Sequence, residues 1–159
     1  MGDDAAVVRG PSGSLLLAAD AVVAGVHADL DLVGLDDMGW KAMVANVSDI
    51  AAVGGRPCCA VVTVAGPLGQ IDFDLLYDGL TEASSAYDCP IVGGDLTTSA
   101  TLVVSVAIVG DGGGEAPAPV LRSGAHAGDT LFVTGPLGSS AAGLELLRKG
   151  RVSEAPDLA

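Results

Sequence analysis

Cations are scarce in this chain. Seven Lys and Arg stand against twenty Asp and Glu in 159 residues, a formal net charge of -13, and such a surface repels phosphate backbones, which argues against nucleic-acid binding. An anionic substrate would need metal ions as intermediaries. Cysteine is sparse: there are three, with Cys58 and Cys59 adjacent, so neither an even disulfide framework nor a C-x-x-C zinc or redox pattern is present. Small core residues are expected at these positions. Long hydrophobic runs are missing as well. The longest uncharged stretches, 57–71 and 96–110, are interrupted by Gly, Pro, Ser or Thr and fall short of the roughly 20 apolar residues that span a bilayer, so no membrane partner is expected. No basic start followed by an apolar block opens the chain, and the cytoplasm is the expected compartment. The P-loop, the protein-kinase motif set, G-x-S-x-G and H-E-x-x-H are all absent, so phosphate chemistry here would have to run on aspartates and metal.

Half of the residues are hydrophobic, enough to bury a core, and the length favours one domain or one and a fraction. Short apolar, β-branched runs read as strands at Ser14–Asp20, Cys58–Gly66, Pro90–Asp95, Thr101–Gly110 and Asp129–Gly135. Helical spacing appears over Asp36–Gly54, with Trp40, Val44, Val47 and Ala51 on one face and Asp36 or Asp37 as candidate N-cap. Two more helices are expected over Asp72–Tyr87 and Ser139–Lys149. The segment "GDGGGEAPAPV" is a Gly/Pro loop. The order is mixed α and β.

The carboxylates occupy element ends. Asp3 and Asp4 follow a glycine, Asp20 ends a strand, Asp49 lies in the last turns of a helix, and Asp95 ends a strand after two glycines in "CPIVGGDLT". Mixed α/β folds gather such ends in a cleft, where clustered carboxylates repel one another unless cations neutralise them; oxygen-only ligands point to magnesium. The plain alternative for any one of them is a cap or turn residue. Asp49 fits that alternative least, because a helix C-terminus disfavours a carboxylate by roughly 0.3–1 kcal/mol and a bound cation would reverse that cost. His27 in "AGVHADL" is a candidate for substrate phosphate or an ordinary histidine. Arg122 in "VLRSGAHAGD" is a candidate phosphate clamp or a surface arginine.

Taken in order, "GDDAAVV", "ADAVVAGVH", "WKAMVANVSDIAAVGGRP", "IVGGDLT" and "VLRSGAHAGDTLFVTGPLGSSAAGLELL" resemble the thiamine-monophosphate kinases of the aminoimidazole-ribonucleotide-synthetase-like superfamily. The resemblance runs over essentially the whole chain. It implies an α+β fold in which a mixed sheet with flanking helices pairs across a homodimer into a barrel-like interface. It further implies an N-terminal ATP/magnesium and dimerisation domain over 1–135, and the start of a truncated second domain over 136–159. The implied activity is ATP-dependent phosphorylation of thiamine monophosphate to thiamine diphosphate. By the same resemblance Asp3, Asp4, Asp20, Asp49 and Asp95 would hold Mg2+, and His27 would contact the substrate. Tyr77, Gly94, Asp95 and Arg122 would contact ATP, and no residue serves as a general base.

Three departures qualify the likeness. The family has residues before "GDD", it has a second domain with further aspartates, and it places Ser and Thr where Ala18 and Ala19 stand. The expectation is a fragment that is inactive alone. Other superfamily enzymes (aminoimidazole ribonucleotide synthetase, selenophosphate synthetase, hydrogenase-maturation proteins) and a non-catalytic dimerisation or nucleotide-binding module are the competing readings.

Overall fold

Alternation of buried and exposed residues builds the sheet. In "CCAVVTVAG", Ala60, Val62 and Val64 are buried while Val61 and Thr63 between them are exposed, the period of a strand with one covered face. The chain, described as a computed structural model over residues 5–10, 13–113 and 119–151, runs β1 (Ala6–Gly10), β2 (Gly13–Val23), α1 (Leu35–Ala52), β3 (Arg56–Gly66), α2 (Phe73–Ala86), β4 (Ile91–Thr98), β5 (Val103–Asp111), a 3-10 turn (Arg122–Gly124) and α3 (Ser139–Arg148). It divides into two compact units, Met1–Gly124 and Ala125–Ala159.

The first unit holds a five-stranded sheet in the order β1-β2-β5-β3-β4. Only β3 and β4 pair in parallel, α2 being the crossover between them; the other pairings are antiparallel. This is the mixed α+β architecture expected. Leu16, Val62, Val64, Val104, Val106 and Ile108 of the inner face join Met38, Met43 and Ile50 of α1 and Leu76 and Leu80 of α2 in one core.

Helix α1 begins after Gly34, whose N–H donates to the Asp37 carboxylate at 3.0 Å. Asp36 and Asp37 therefore lie inside the first turn, where the helix dipole favours them, and neither is the N-cap expected. The buried stripe of α1 is Met38, Gly39, Ala42, Met43, Asn46, Val47 and Ile50, rotated from the expected one: Trp40 and Val44 are half-buried and Ala51 is exposed. The helix is covered from two sides, by the sheet and by α2, so a single amphipathic face does not describe it. At the start of α2 the expectation holds, with the Asp72 side chain accepting from Leu75 N–H at 3.2 Å.

One expected strand does not form. The segment "DTLFVTG" is not a strand, and Leu131 and Phe132 within it are 96% and 88% exposed. No strand lies beside it among the described residues of its unit, and without a ladder an isolated strand has no hydrogen-bonding partner. Conversely β1, too short and weakly patterned to be read from sequence, forms because β2 offers it a complete antiparallel register from Ala6↔Leu17 to Gly10↔Gly13. The cysteines also divide. Cys89 is buried, and burial, with Cys59 and Cys58 adding, pushes its thiol up to about 11, so it is the inert core residue expected; Cys58 is exposed.

The helices touch through glycines. A Cβ on Gly39 would lie 2.2 Å from the Leu76 carbonyl oxygen, and one on Gly79 would lie 1.9 Å from the Asp36 carbonyl oxygen. Both clashes are with backbone, so the helices themselves must separate. Gly79→Ala is expected to lower unfolding stability by about 1–3 kcal/mol, read by chemical denaturation, despite the better helix propensity of alanine; an equal or raised midpoint would show that the helices are not held at this distance.

Candidate functional site

Among the described residues the buried polar side chain of the core is Asn46. Its Oδ1 accepts the Asp20 N–H at 2.9 Å and its Nδ2 donates to the Ala42 carbonyl at 3.0 Å, so both ends of the amide are engaged. Among the described residues the pairing of β2 with β1 reaches Leu17, three residues before Asp20, whose N–H finds its acceptor in Asn46. Asp49 stands one helical turn beyond Asn46, on the same side of α1, and is half-buried. Asn46 thus ties the strand carrying Asp20 to the helix carrying Asp49.

Asp95 lies elsewhere in the sheet. It is exposed on β4, in register with Thr63 of β3. Between β2 and β4 run β5 and β3, so three strand spacings, about 14 Å along the sheet, separate the backbones of Asp20 and Asp95. Among the described residues no three of His, Cys, Asp and Glu come together as a group that could hold a metal ion. Asp3 and Asp4 lie outside the described residues.

Gly94 has a structural reason of its own. A Cβ there would lie 1.8 Å from the Val62 carbonyl oxygen, so the sheet admits only glycine at this register position. Tyr77 is on α2, half-buried against the core, with its carbonyl accepting from Thr81 Oγ1 at 2.8 Å. Arg122 opens the 3-10 turn and is exposed. Two residues earlier Val120 N–H donates to the Val53 carbonyl at 2.9 Å, which brings this segment to the C-terminal end of α1, the end that carries Asp49.

His27 sits in the loop after β2. Its ring Nδ1 accepts the Val23 N–H at 3.1 Å while its own backbone N–H donates to the Val23 carbonyl at 2.8 Å. Lys41 of α1 donates from Nζ to the His27 carbonyl oxygen. Neither Asn46's bridge nor Lys41's position was legible as function; the available signal for Asn46 was an amide set within an apolar helical stripe.

The arrangement offers exposed or half-exposed carboxylate oxygens, hard donors suited to magnesium, but Asp20 and Asp95 do not end strands as expected: each lies within its strand, because pairing carries β2 on to Val23 and β4 on to Thr98, while Asp49 is in the last turn of α1. The sheet face away from the helices is apolar and open. Leu17, Ala19, Cys59, Val61, Ala107 and Val109 line a groove of about 350 Å3 there, and Leu17 and Val61 are 41% and 45% exposed. No helix of the described residues is long and apolar enough to cross a membrane.

Comparison with known proteins adds the following. The family profile for the AIR synthase related protein, N-terminal domain, matches residues 2–111. The chain is 39% identical over 151 residues to the thiamine-monophosphate kinase of Bacillus subtilis, covering 92% of this chain and 46% of that protein. The solved structure of AaThiL complexed with AMPPCP and TMP superposes with a TM-score of 0.85 at 38% identity, covering 94% of this chain and 48% of that one. The thiamine monophosphate kinase from Aquifex aeolicus superposes with a TM-score of 0.81 at 37% identity, covering 92% and 49%. The chain therefore spans about half the length of the relatives it matches.

Asn46→Ala would leave the Asp20 N–H without its partner. The expected cost is about 1–3 kcal/mol, seen as a lower melting temperature, with faster hydrogen exchange at the Asp20 amide; unchanged protection at that amide would count against the bridge.

Proposed function

The chain belongs to the AIR synthase related protein family, and from that premise we propose that it is the N-terminal part of a kinase that phosphorylates thiamine monophosphate to thiamine diphosphate with ATP. The observation that carries this reading is the likeness, over nearly all of this chain, to a solved relative complexed with AMPPCP and TMP, the first an ATP analogue and the second the substrate of a thiamine-monophosphate kinase. We read residues 1–135 as the nucleotide and dimerisation domain and 136–159 as the start of a second domain, and we place the reaction in the cytoplasm.

The chemistry asks little of the protein as acid or base. A phosphate-monoester oxygen is already ionised near neutral pH, so it attacks the γ-phosphorus directly; the new P–O bond forms as the bond to the β–γ bridging oxygen breaks, and ADP leaves. Positioning and charge neutralisation carry the rate. The residues present fit magnesium: Asp20, Asp49 and Asp95 supply oxygen donors, and this ion takes one or two carboxylates, with phosphates and water completing its shell, rather than an all-protein cage. A separated carboxylate set is compatible with that habit, and Asp3 and Asp4 belong to the same proposal. When bound, the metal neutralises the triphosphate against an acidic surface. In this reading Gly94, Asp95, Tyr77 and Arg122 face the nucleotide, and His27 meets the substrate.

The open sheet face supports a second part of the proposal. A second copy of the chain covers the groove lined by Leu17, Val61 and Val109, closing the two sheets into a barrel-like interface and removing apolar surface from water. Sedimentation is expected to give a dimer that Val61→Glu converts to monomer; a soluble wild-type monomer at micromolar concentration would sink this part.

For the site, Asp49→Asn and Asp95→Asn in the whole protein keep side-chain volume and remove the charge. Each is expected to abolish turnover at ordinary magnesium while leaving the melting temperature near wild type. An aspartate that merely capped a turn would instead cost about 0.5–2 kcal/mol of stability and spare turnover per folded molecule. Near-normal turnover in either variant removes that residue from the site.

A further inference from the structure

We propose that Asn46 is a positioning residue for the divalent metal: by holding the backbone of Asp20 to α1 it fixes how the strand carrying Asp20 stands against the helix carrying Asp49, and so raises the affinity of the two carboxylates for the ion. That these aspartates hold magnesium rests on the reading above; the tie between their elements rests on geometry. Asn46 is fully buried, and the orientation of its amide is unambiguous. The Asp20 N–H can only donate and the Ala42 carbonyl can only accept, so Oδ1 faces the first at 2.9 Å and Nδ2 the second at 3.0 Å.

The other large residues of the buried stripe of α1, Met38, Met43, Val47 and Ile50, are apolar. An asparagine among them must have its amide hydrogen-bonded or bear the cost of desolvation. The Ala42 carbonyl has no need of it, because the helix ladder already supplies the Asn46 N–H there; that second bond pins the rotamer. What remains is the link to Asp20, across 26 residues of chain. Among the described residues the buried polar side chain of the core thus meets the backbone of one proposed ligand and stands one helical turn before the other.

Two carboxylates that share an ion repel each other before it arrives, and freedom between a strand and a helix is lost when it binds. A hydrogen bond that already joins the two elements removes part of that cost, which is how outer partners of metal ligands act. The bond meets the backbone of Asp20, and the residue itself stays exposed. Coupling of this kind is reciprocal: if the Asn46–Asp20 bond favours the ion, the ion favours the bond.

The test is a titration of the chain with MnCl2, followed by the electron paramagnetic resonance of the free ion, since Mn2+ takes the same oxygen donors as magnesium. Asn46→Leu nearly conserves side-chain shape and removes the acceptor. It is expected to weaken Mn2+ binding about 10-fold, the low end for loss of an outer partner, because the bond is to backbone rather than to carboxylate. Leu80→Ala, which opens a cavity beneath α2, controls for lost stability: it is expected to lower the melting temperature at least as far and to leave Mn2+ affinity unchanged. Equal affinity in wild type and Asn46→Leu, or an equal loss in both variants, overturns the positioning role. The wild-type chain gives a second measurement that depends on no variant. Saturating magnesium must slow hydrogen exchange at the Asp20 amide, and unchanged exchange there overturns the coupling. Asp20→Asn and Asp49→Asn probe the underlying reading, and each is expected to abolish this Mn2+ binding. If neither does, the metal assignment falls and the role of Asn46 falls with it; if both do while Asn46→Leu binds as wild type, only the positioning role falls.

Discussion

Among the described residues of the first unit, helices cover one face of the sheet, and most of that unit follows from this constraint. Two helices supply the inner layer, so every strand that crosses the middle alternates between residues pressed against α1 and α2 and residues left in the open. Val62 is fully buried while Val61 beside it is 45% exposed. A single-sided sheet must place its helices close and flat. Gly39 and Gly79 do this by removing the side chains that would hold the two helices apart. The uncovered face keeps an apolar groove, and the candidate groups are spread over strands, helices and the loop after β2.

Helix α1 is the organising element of the candidate site. Its buried stripe anchors it to the core, and from that fixed position three of its residues act outward in different directions. Asn46 reaches the backbone of β2 at Asp20, Lys41 reaches the loop at His27, and Asp49 stands in the final turn. The segment before Arg122 returns to the same helix through Val53. One rigid rod thus sets the relative positions of groups that come from distant parts of the chain. Sites built on such elements hold their geometry better than sites built on loops alone.

Much of this was legible beforehand, for physical reasons. The β-branched runs of β3 and β5 announce buried strands, because alternation and pairing depend on local pattern. Asp72 could be read as a helix start because capping is local too. The strand expected at Asp129–Gly135 shows the limit, since an apolar run needs a neighbour to become a strand and none lies beside it in the described part of its unit. The reverse holds for β1, where a neighbour makes a strand from a weak pattern. At the site, the candidate carboxylates were picked out one by one as element ends and from a family resemblance; Asp49 does stand in the last turn of α1, whereas Asp20 and Asp95 lie inside longer strands, because ladder pairing extends past the apolar runs that mark a strand in sequence. That Asn46 would serve the amide of a residue 26 positions away has no signature in local sequence.

By itself, then, the sequence determined most of the element types, the acidic character of the chain and the family, because composition, periodicity and ordered motifs are properties of the chain read in line. Only the tertiary structure decided which of these residues meet. The order of strands separates Asp95 from Asp20 by two others, glycine at position 94 is required by the carbonyl of Val62, and a lysine in an unremarked helix turn is brought to the histidine loop. These are consequences of strand order and helix packing, in which residues far apart in sequence share a boundary, and no local pattern encodes that boundary.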